Sequence, residues 1–235
     1  MKNSKDYAGK IQSLYRELKR KGTKVEAVTY EDPLEALIYG VLCEKMSQAE
    51  SLSAQKRLKK NFVDLNDLRV SSMLEIMEMI GKEGAEFRET AQRIINILKL
   101  VFESYNLVSL KELVAMGKRP AKQSLEKIEG VTKFSVDYCF LTSLGGHVIP
   151  LTERMVNYLK ENELVNPDSD ADEIEGFLSR QIAAKNGYEF YALVREESET
   201  AGHKSKVKKT APEKAKAKNA GKAKKVQKKA KITKG

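Results

Sequence analysis

Helix-start signals punctuate this sequence and leave little room for any other kind of element. Asp32-Pro33-Leu34-Glu35 sets a capping acid, a proline suited to the first helical position, and a glutamate three residues after the cap. Ser47-Gln48-Ala49-Glu50 and Ser72-Met73-Leu74-Glu75 repeat the capping-box pattern, and Ser109-Leu110-Lys111-Glu112 reads as the start of another short helix. Between these signals apolar residues fall three and four apart, the spacing of one helix face. Ile11, Leu14, Tyr15 and Leu18 mark a helix near 5–21, and Leu34, Leu37, Ile38, Val41 and Leu42 follow the Asp32 cap. Phe87, Ala91, Ile94, Leu98, Val101 and Phe102 mark a longer one near 86–104. Pro120 is expected to separate the Ser109 helix from a short segment at 122–128, with further helices near 133–144, 152–162, 170–185 and 187–198. Period-two alternation is nowhere sustained. The fold class is all-α.

The net charge of +10 has to be split before it means anything. Residues 203–235 hold 14 lysines against one acid, Glu213, whereas the first 202 residues hold 29 basic and 32 acidic groups. The body is therefore faintly acidic, and the basicity belongs to the tail. A Lys/Ala stretch of one charge sign and low hydrophobicity cannot bury enough apolar surface to offset its ordering entropy, so 203–235 is expected to be disordered. Its composition is similar to the Lys/Ala-rich tails of linker histones and bacterial histone-like proteins. Such a polycation attracts phosphate backbone in a salt-dependent way, and Lys206, Lys208, Lys209, Lys224, Lys225, Lys228 and Lys229 are assigned to that contact. Lys19-Arg20-Lys21 and the Lys56–Lys60 cluster read as solvated helix faces.

Other classes are excluded on composition. No apolar run is long enough to cross a membrane, and the N-terminus is polar. Two cysteines and two histidines provide neither a four-thiolate cluster nor a usual zinc ligand set, so no metal and no cofactor are expected. Asp168, Asp170 and Asp172 lack the glycine of a calcium loop and read as a linker capping a helix. The protein is expected to be a cytoplasmic monomer associated with nucleoid or chromatin. Residues 1–202 form the folded domain, with 5–32 and 146–198 in one lobe and 33–145 in the other.

Ser124 to Phe140 is the most specific stretch. It reads helix, Gly130-Val131 turn, helix, the pattern of a helix-hairpin-helix. Glycine permits the turn, Val131 plugs the space between the helices, and amides at the start of the second helix form a ready phosphate site. Gly130, Val131, Thr132 and Lys133 are the candidate DNA contacts there.

The arrangement resembles the endonuclease III class of DNA glycosylases, the helix-hairpin-helix-GPD superfamily, over roughly residues 5–198. Asp32 to Leu42 resembles the family's opening "SPFELLIAVLLSAQ" helix, and residues 84–105 its "KAENIIKTCRILLE" helix. Ile128 to Phe140 resembles "LPGVGRKTANVVL", and His147 to Lys160 "VDTHIFRVCNRL". The resemblance implies a two-lobed helical fold, duplex DNA as partner, and base excision as the family chemistry.

Several positions depart from that pattern. The lysine that attacks the sugar in bifunctional members falls on Phe134, and the catalytic aspartate falls on Leu151. Lys133 and Glu153, one and two residues away, are the substitute candidates. The hairpin's second glycine is Thr132, its proline is Glu129, and the glutamine that fills the hole left by the flipped base is Lys45. The iron-sulfur cysteines of many members are absent. The sequence therefore points to a DNA-binding protein without the standard chemistry, held on the duplex by its tail. Two alternatives stay open: an active glycosylase with relocated catalytic residues, and a helical interaction module whose tail binds nucleic acid or acidic proteins.

Overall fold

The computed structural model describes residues 4–21 and 24–210, and no strand occurs among them. Eleven α-helices follow in order: α1 Ser4–Arg20, α2 Pro33–Lys45, α3 Gln48–Asn61, α4 Leu65–Val70, α5 Met73–Ile80 and α6 Ala85–Tyr105, then α7 Lys118–Glu126, α8 Lys133–Thr142, α9 Glu153–Glu161, α10 Ala171–Gln181 and α11 Gly187–Thr210. The caps at Asp32, Ser47 and Ser72 form as the sequence dictates, the last two as complete capping boxes.

Four expectations change. Ser109 does not cap an α-helix; Lys111–Met116 is a 3-10 turn, and the Ser109 hydroxyl instead donates to Asp32 Oδ2 at 2.6 Å. Pro120 does not break the chain, because α7 starts at Lys118 and puts the proline in the first turn, where its missing N–H has no helical partner to lose. The short helix α4, capped by Asp64, was not expected. The last helix runs to Thr210, eight residues into the segment expected to be disordered; four of those eight are lysines, which are good helix formers. Residues 211–235 lie outside the described part of the chain.

Two apolar cores hold the molecule. One draws entirely on residues between Leu34 and Leu144, from Leu37 and Leu42 in α2 to Ile94 and Leu98 in α6. The other joins Ile11, Leu14 and Leu18 of α1 to Met155, Leu159, Ile174, Phe177, Phe190 and Val194. Helices α2 and α8 lie between them and contribute to both, which is why α2 is apolar on nearly every side. Gly40 allows this contact: a Cβ there would sit 2.8 Å from the Ser135 backbone. The Cys139 thiol adds a hydrogen bond to the Pro33 carbonyl at 3.2 Å, and burial pushes that thiol up from its ordinary pKa.

Candidate nucleic-acid interface

Close packing of α2 against α8 brings the hairpin next to the C-terminal end of α2. Gly130 is exposed, with φ +90°, and a Cβ there would lie 3.5 Å from Arg93 Cγ on α6. Arg93 in turn donates to Glu44, the neighbour of Lys45, at 2.7 Å. The hairpin turn and the α2–α3 turn are thus tied to one helix, and the exposed side chains of Lys45 and Lys133 belong to adjacent turns.

A third turn joins them. Between α5 and α6, Gly81 adopts the left-handed conformation, and Arg57 donates to the Met79 and Ile80 carbonyls at 2.6 Å each. Lys82 of this turn pairs with Glu50 in the first turn of α3. A groove of about 730 Å³ runs between the start of α6 and the hairpin, lined by Arg88, Gln92, Arg93, Asn96 and Gly130. Arg88, Lys82 and Arg93 were not singled out from sequence. Glycines 81 and 84 around a helix start, followed by polar residues 88, 92 and 96 at helical spacing, were the signal available. The basic clusters are partly spoken for: Lys19 pairs with Glu189, Lys21 with Glu197 and Lys59 with Glu35.

Glu50 gives this face a pH dependence. The Lys82 ammonium and the Ser47 amide hold its carboxyl at about 2, below the ordinary 4.5. A depressed carboxylate stabilises the fold fully above its ordinary pKa, and that contribution is lost as pH falls toward 2. Melting temperature should therefore fall between pH 4.5 and 2 more steeply in the parent than in Glu50→Gln, which lacks the pair at every pH. Parallel curves would show that the pair contributes nothing; both side chains are more than a third exposed, so high salt should shrink the difference.

Within the hairpin, Thr132 caps α8 and its hydroxyl accepts from the Ser135 amide at 3.2 Å. The Thr132 amide itself donates to Ser135 Oγ at 3.0 Å, so that N–H is engaged inside the turn. Val131 is half-buried and packs against the first core. Lys133 lies on the outer side of the helix, its ammonium 2.8 Å from the buried Asp137 and 3.6 Å from Asp172. Burial opposes its charge, but the Asp137 hydrogen bond and the surrounding carboxylates outweigh that and raise its pKa. Lys122 of α7 reaches the other Asp137 oxygen at 2.8 Å and so locks the two hairpin helices together.

Phe134 faces the opposite way. It is 6% exposed, with ring centroids 6.3 Å from Tyr138 and 6.4 Å from Tyr191. Tyr30 and Tyr39 lie 6.2 and 5.4 Å from Tyr138, which makes a continuous aromatic cluster at stacking and edge distances. Leu151 packs half-buried on the same core. Glu153 is exposed in the first turn of α9, behind the Thr152 cap. Of the tail lysines, Lys206, Lys208 and Lys209 fall on the backbone of α11, while Lys224, Lys225, Lys228 and Lys229 lie outside the described residues. A cleft of about 760 Å³ lies elsewhere: Asp32, Tyr39, Gln55, Phe62 and Phe102 line it, and none of the expected site residues does.

A two-lobed all-helical body with a hairpin against its central helix defines the endonuclease III-like glycosylase fold, and comparison with solved structures agrees. A trapped endonuclease III–DNA covalent intermediate superposes with a TM-score of 0.63 at 18% identity, over 83% of this chain and 85% of that one. The 3-methyladenine DNA glycosylase of H. pylori gives 0.61 at 16%, over 82% and 98%. The Clostridium acetobutylicum 8-oxoguanine glycosylase/lyase bound to double-stranded DNA gives 0.64 at 13%, over 85% and 71%. At these identities the likeness is one of fold. No family model and no curated protein sequence matches the chain. No helix among the described residues is long and apolar enough to cross a membrane.

Proposed function

We infer that this is a DNA-binding protein of the endonuclease III-like fold that engages duplex DNA as a monomer, mainly through its phosphate backbone, and lacks the standard glycosylase and lyase chemistry. Its basic tail anchors it, and its place is on the nucleoid or chromatin. The observation that carries the chemical half is the position of Phe134. Attack on the sugar C1′ needs an amine or an activated water, with a carboxylate to stabilise positive charge on the sugar. Where the resemblance puts the amine, a phenyl ring is packed among tyrosines. Where it puts the carboxylate, there is Leu151. The neighbouring amine, Lys133, is kept protonated by Asp137 and points away from that cluster, and a protonated amine is no nucleophile. DNA binding is supported by the solved structures of this fold, two of those named above being complexes with DNA, and by the tail's charge.

The test is borohydride trapping on abasic and oxidised-pyrimidine duplexes. Residues 1–210 must be used beside the full chain, because flexible tail amines cleave abasic sites slowly without any pocket. No covalent adduct that depends on a body lysine is expected. Robust trapping abolished by Lys133→Ala would overturn the inactive reading. Base release without trapping, abolished by Glu153→Gln, would make the protein a monofunctional glycosylase instead.

A further inference from the structure

Arg195 is the largest polar side chain in the interior, 2% exposed, and nothing in the function above uses it. It sits on α11, yet two of its four hydrogen-bond partners lie at the end of α2. Its Nη2 donates to the carbonyls of Cys43 and Met46 at 3.3 and 3.1 Å, Nη1 to the Tyr191 hydroxyl at 2.7 Å, and Nε to Glu199 at 3.0 Å. Glu199 completes the grip from one turn further on. Both of its oxygens accept from the Gln48 amide, the first of α3, at 3.0 and 3.1 Å.

The two charges are matched to two helix ends. A guanidinium faces the carbonyl end of α2, and a carboxylate faces the amide end of α3, each the sign that the helix dipole favours. Between those ends only Met46 and Ser47 are non-helical. That short turn already has a complete closure of its own, since Ser47 and Glu50 form a capping box and the Ser51 hydroxyl donates back to the Ser47 carbonyl. A buried arginine is an expensive addition to a connection that closes without it. What the addition fixes is the direction of the residue at the lip of the turn, Lys45, whose side chain is exposed. Its neighbour Glu44 is held from the far side by Arg93, the residue beneath Gly130.

We propose that Arg195 and Glu199 are a positioning pair for DNA binding: they clamp the α2–α3 turn so that Lys45 meets a duplex phosphate in fixed register with the hairpin. This rests on the DNA-binding reading above and adds to it the pair responsible for one contact. The same helix carries the chain on to Thr210, so the clamp also fixes the turn against the segment from which the basic tail continues.

The sign of one substitution separates positioning from charge. Glu199→Gln removes a negative charge beside the α2–α3 turn, so electrostatics alone would tighten binding. Loss of the clamp would weaken it. Gln48→Pro breaks the same contact from the other side with no change of charge, at a first helical position where proline is accepted and after a residue already in extended backbone. The measurement is duplex affinity of the full-length protein against salt, for both variants in the parent and in a Lys45→Ala background, with thermal melts to show that each is folded. Lys45→Ala should lower the salt slope by about 0.9, the value of one phosphate, so its loss of affinity is about 3.5-fold larger at 50 mM than at 200 mM salt. Glu199→Gln and Gln48→Pro should each reproduce that loss in the parent. With Lys45 already gone, Gln48→Pro should change nothing and Glu199→Gln should leave binding equal or tighter. Binding that tightens in both backgrounds, losses that persist without Lys45, or a silent Lys45→Ala would overturn the clamp while leaving DNA binding intact. A full chain that fails to bind duplex DNA at all would instead remove the reading on which it rests.

Discussion

Removing residues 211–235 should cost this protein most of its affinity for duplex DNA and most of the salt dependence of that affinity. The cut falls after Thr210, where the last helix ends, so no described element is interrupted. It removes ten lysines and one glutamate, and it leaves 33 basic against 32 acidic groups on the remaining chain. A nearly neutral body has no long-range attraction for a polyanion, whereas each tail lysine that neutralises a phosphate contributes about 0.9 to the slope of log affinity against log salt. With most of the ten lysines engaged, the full chain should lose about 10³–10⁵ in affinity between 50 and 200 mM salt. The truncated chain should be left with a shallow slope set by Lys45, the hairpin and the remaining Lys206, Lys208 and Lys209. Titration of both proteins with a labelled duplex at several salt concentrations decides the matter. Equal affinities and equal slopes would mean that the body, and not its tail, is the anchor.

What was legible in the sequence follows the range of the interactions involved. The starts of α2, α3 and α5 are set by contacts between residues two or three apart, and all three could be read directly. The six-residue α4 was missed although Asp64 caps it by the same chemistry, because so short a segment shows no apolar period. Pro120 misled for a related reason: a proline marks a boundary, but its place in the first turn puts the boundary before it and not at it. The hairpin was legible through Gly130, whose positive φ is a local demand. The aromatic cluster was not, since Tyr30 and Tyr39, Tyr138 and Tyr191 come from three distant parts of the chain and no spacing announces them. The same holds for Arg195, whose carbonyl partners lie 152 and 149 residues away. Long-range polar contacts leave no periodic trace, so Arg195 stayed hidden, as did Arg88 and Arg93 along the groove, while Lys45 and the hairpin could be picked out as candidates from local signals.

Phe134 gives the second large effect, on stability. Phe134→Ala should destabilise the body by about 3–5 kcal/mol, the usual cost of deleting a buried phenyl ring whose surroundings cannot collapse. The neighbours here are rings, Tyr138 and Tyr191, held in turn by Tyr30, Tyr39 and the Arg195 hydrogen bond, so little relaxation is available to them. For a domain of this size that corresponds to a melting temperature lower by about 6–20 °C. Phe134→Lys is the more telling change, because it restores the amine that the resemblance would place there. Its stem would cover part of the lost apolar contact, but its ammonium would enter a cluster of phenyl and phenol rings, and the carboxylate of the same helix, Asp137, is already taken by Lys122 and Lys133. Burying an unpaired charge costs more than leaving a cavity. Phe134→Lys should therefore melt at or below Phe134→Ala and gain no trapping activity, while the full-length variants keep their tail-driven affinity at temperatures where they are folded. A Phe134→Lys protein as stable as the parent would mean that the amine finds a solvated opening between the lobes, and with it the space a flipped nucleotide needs.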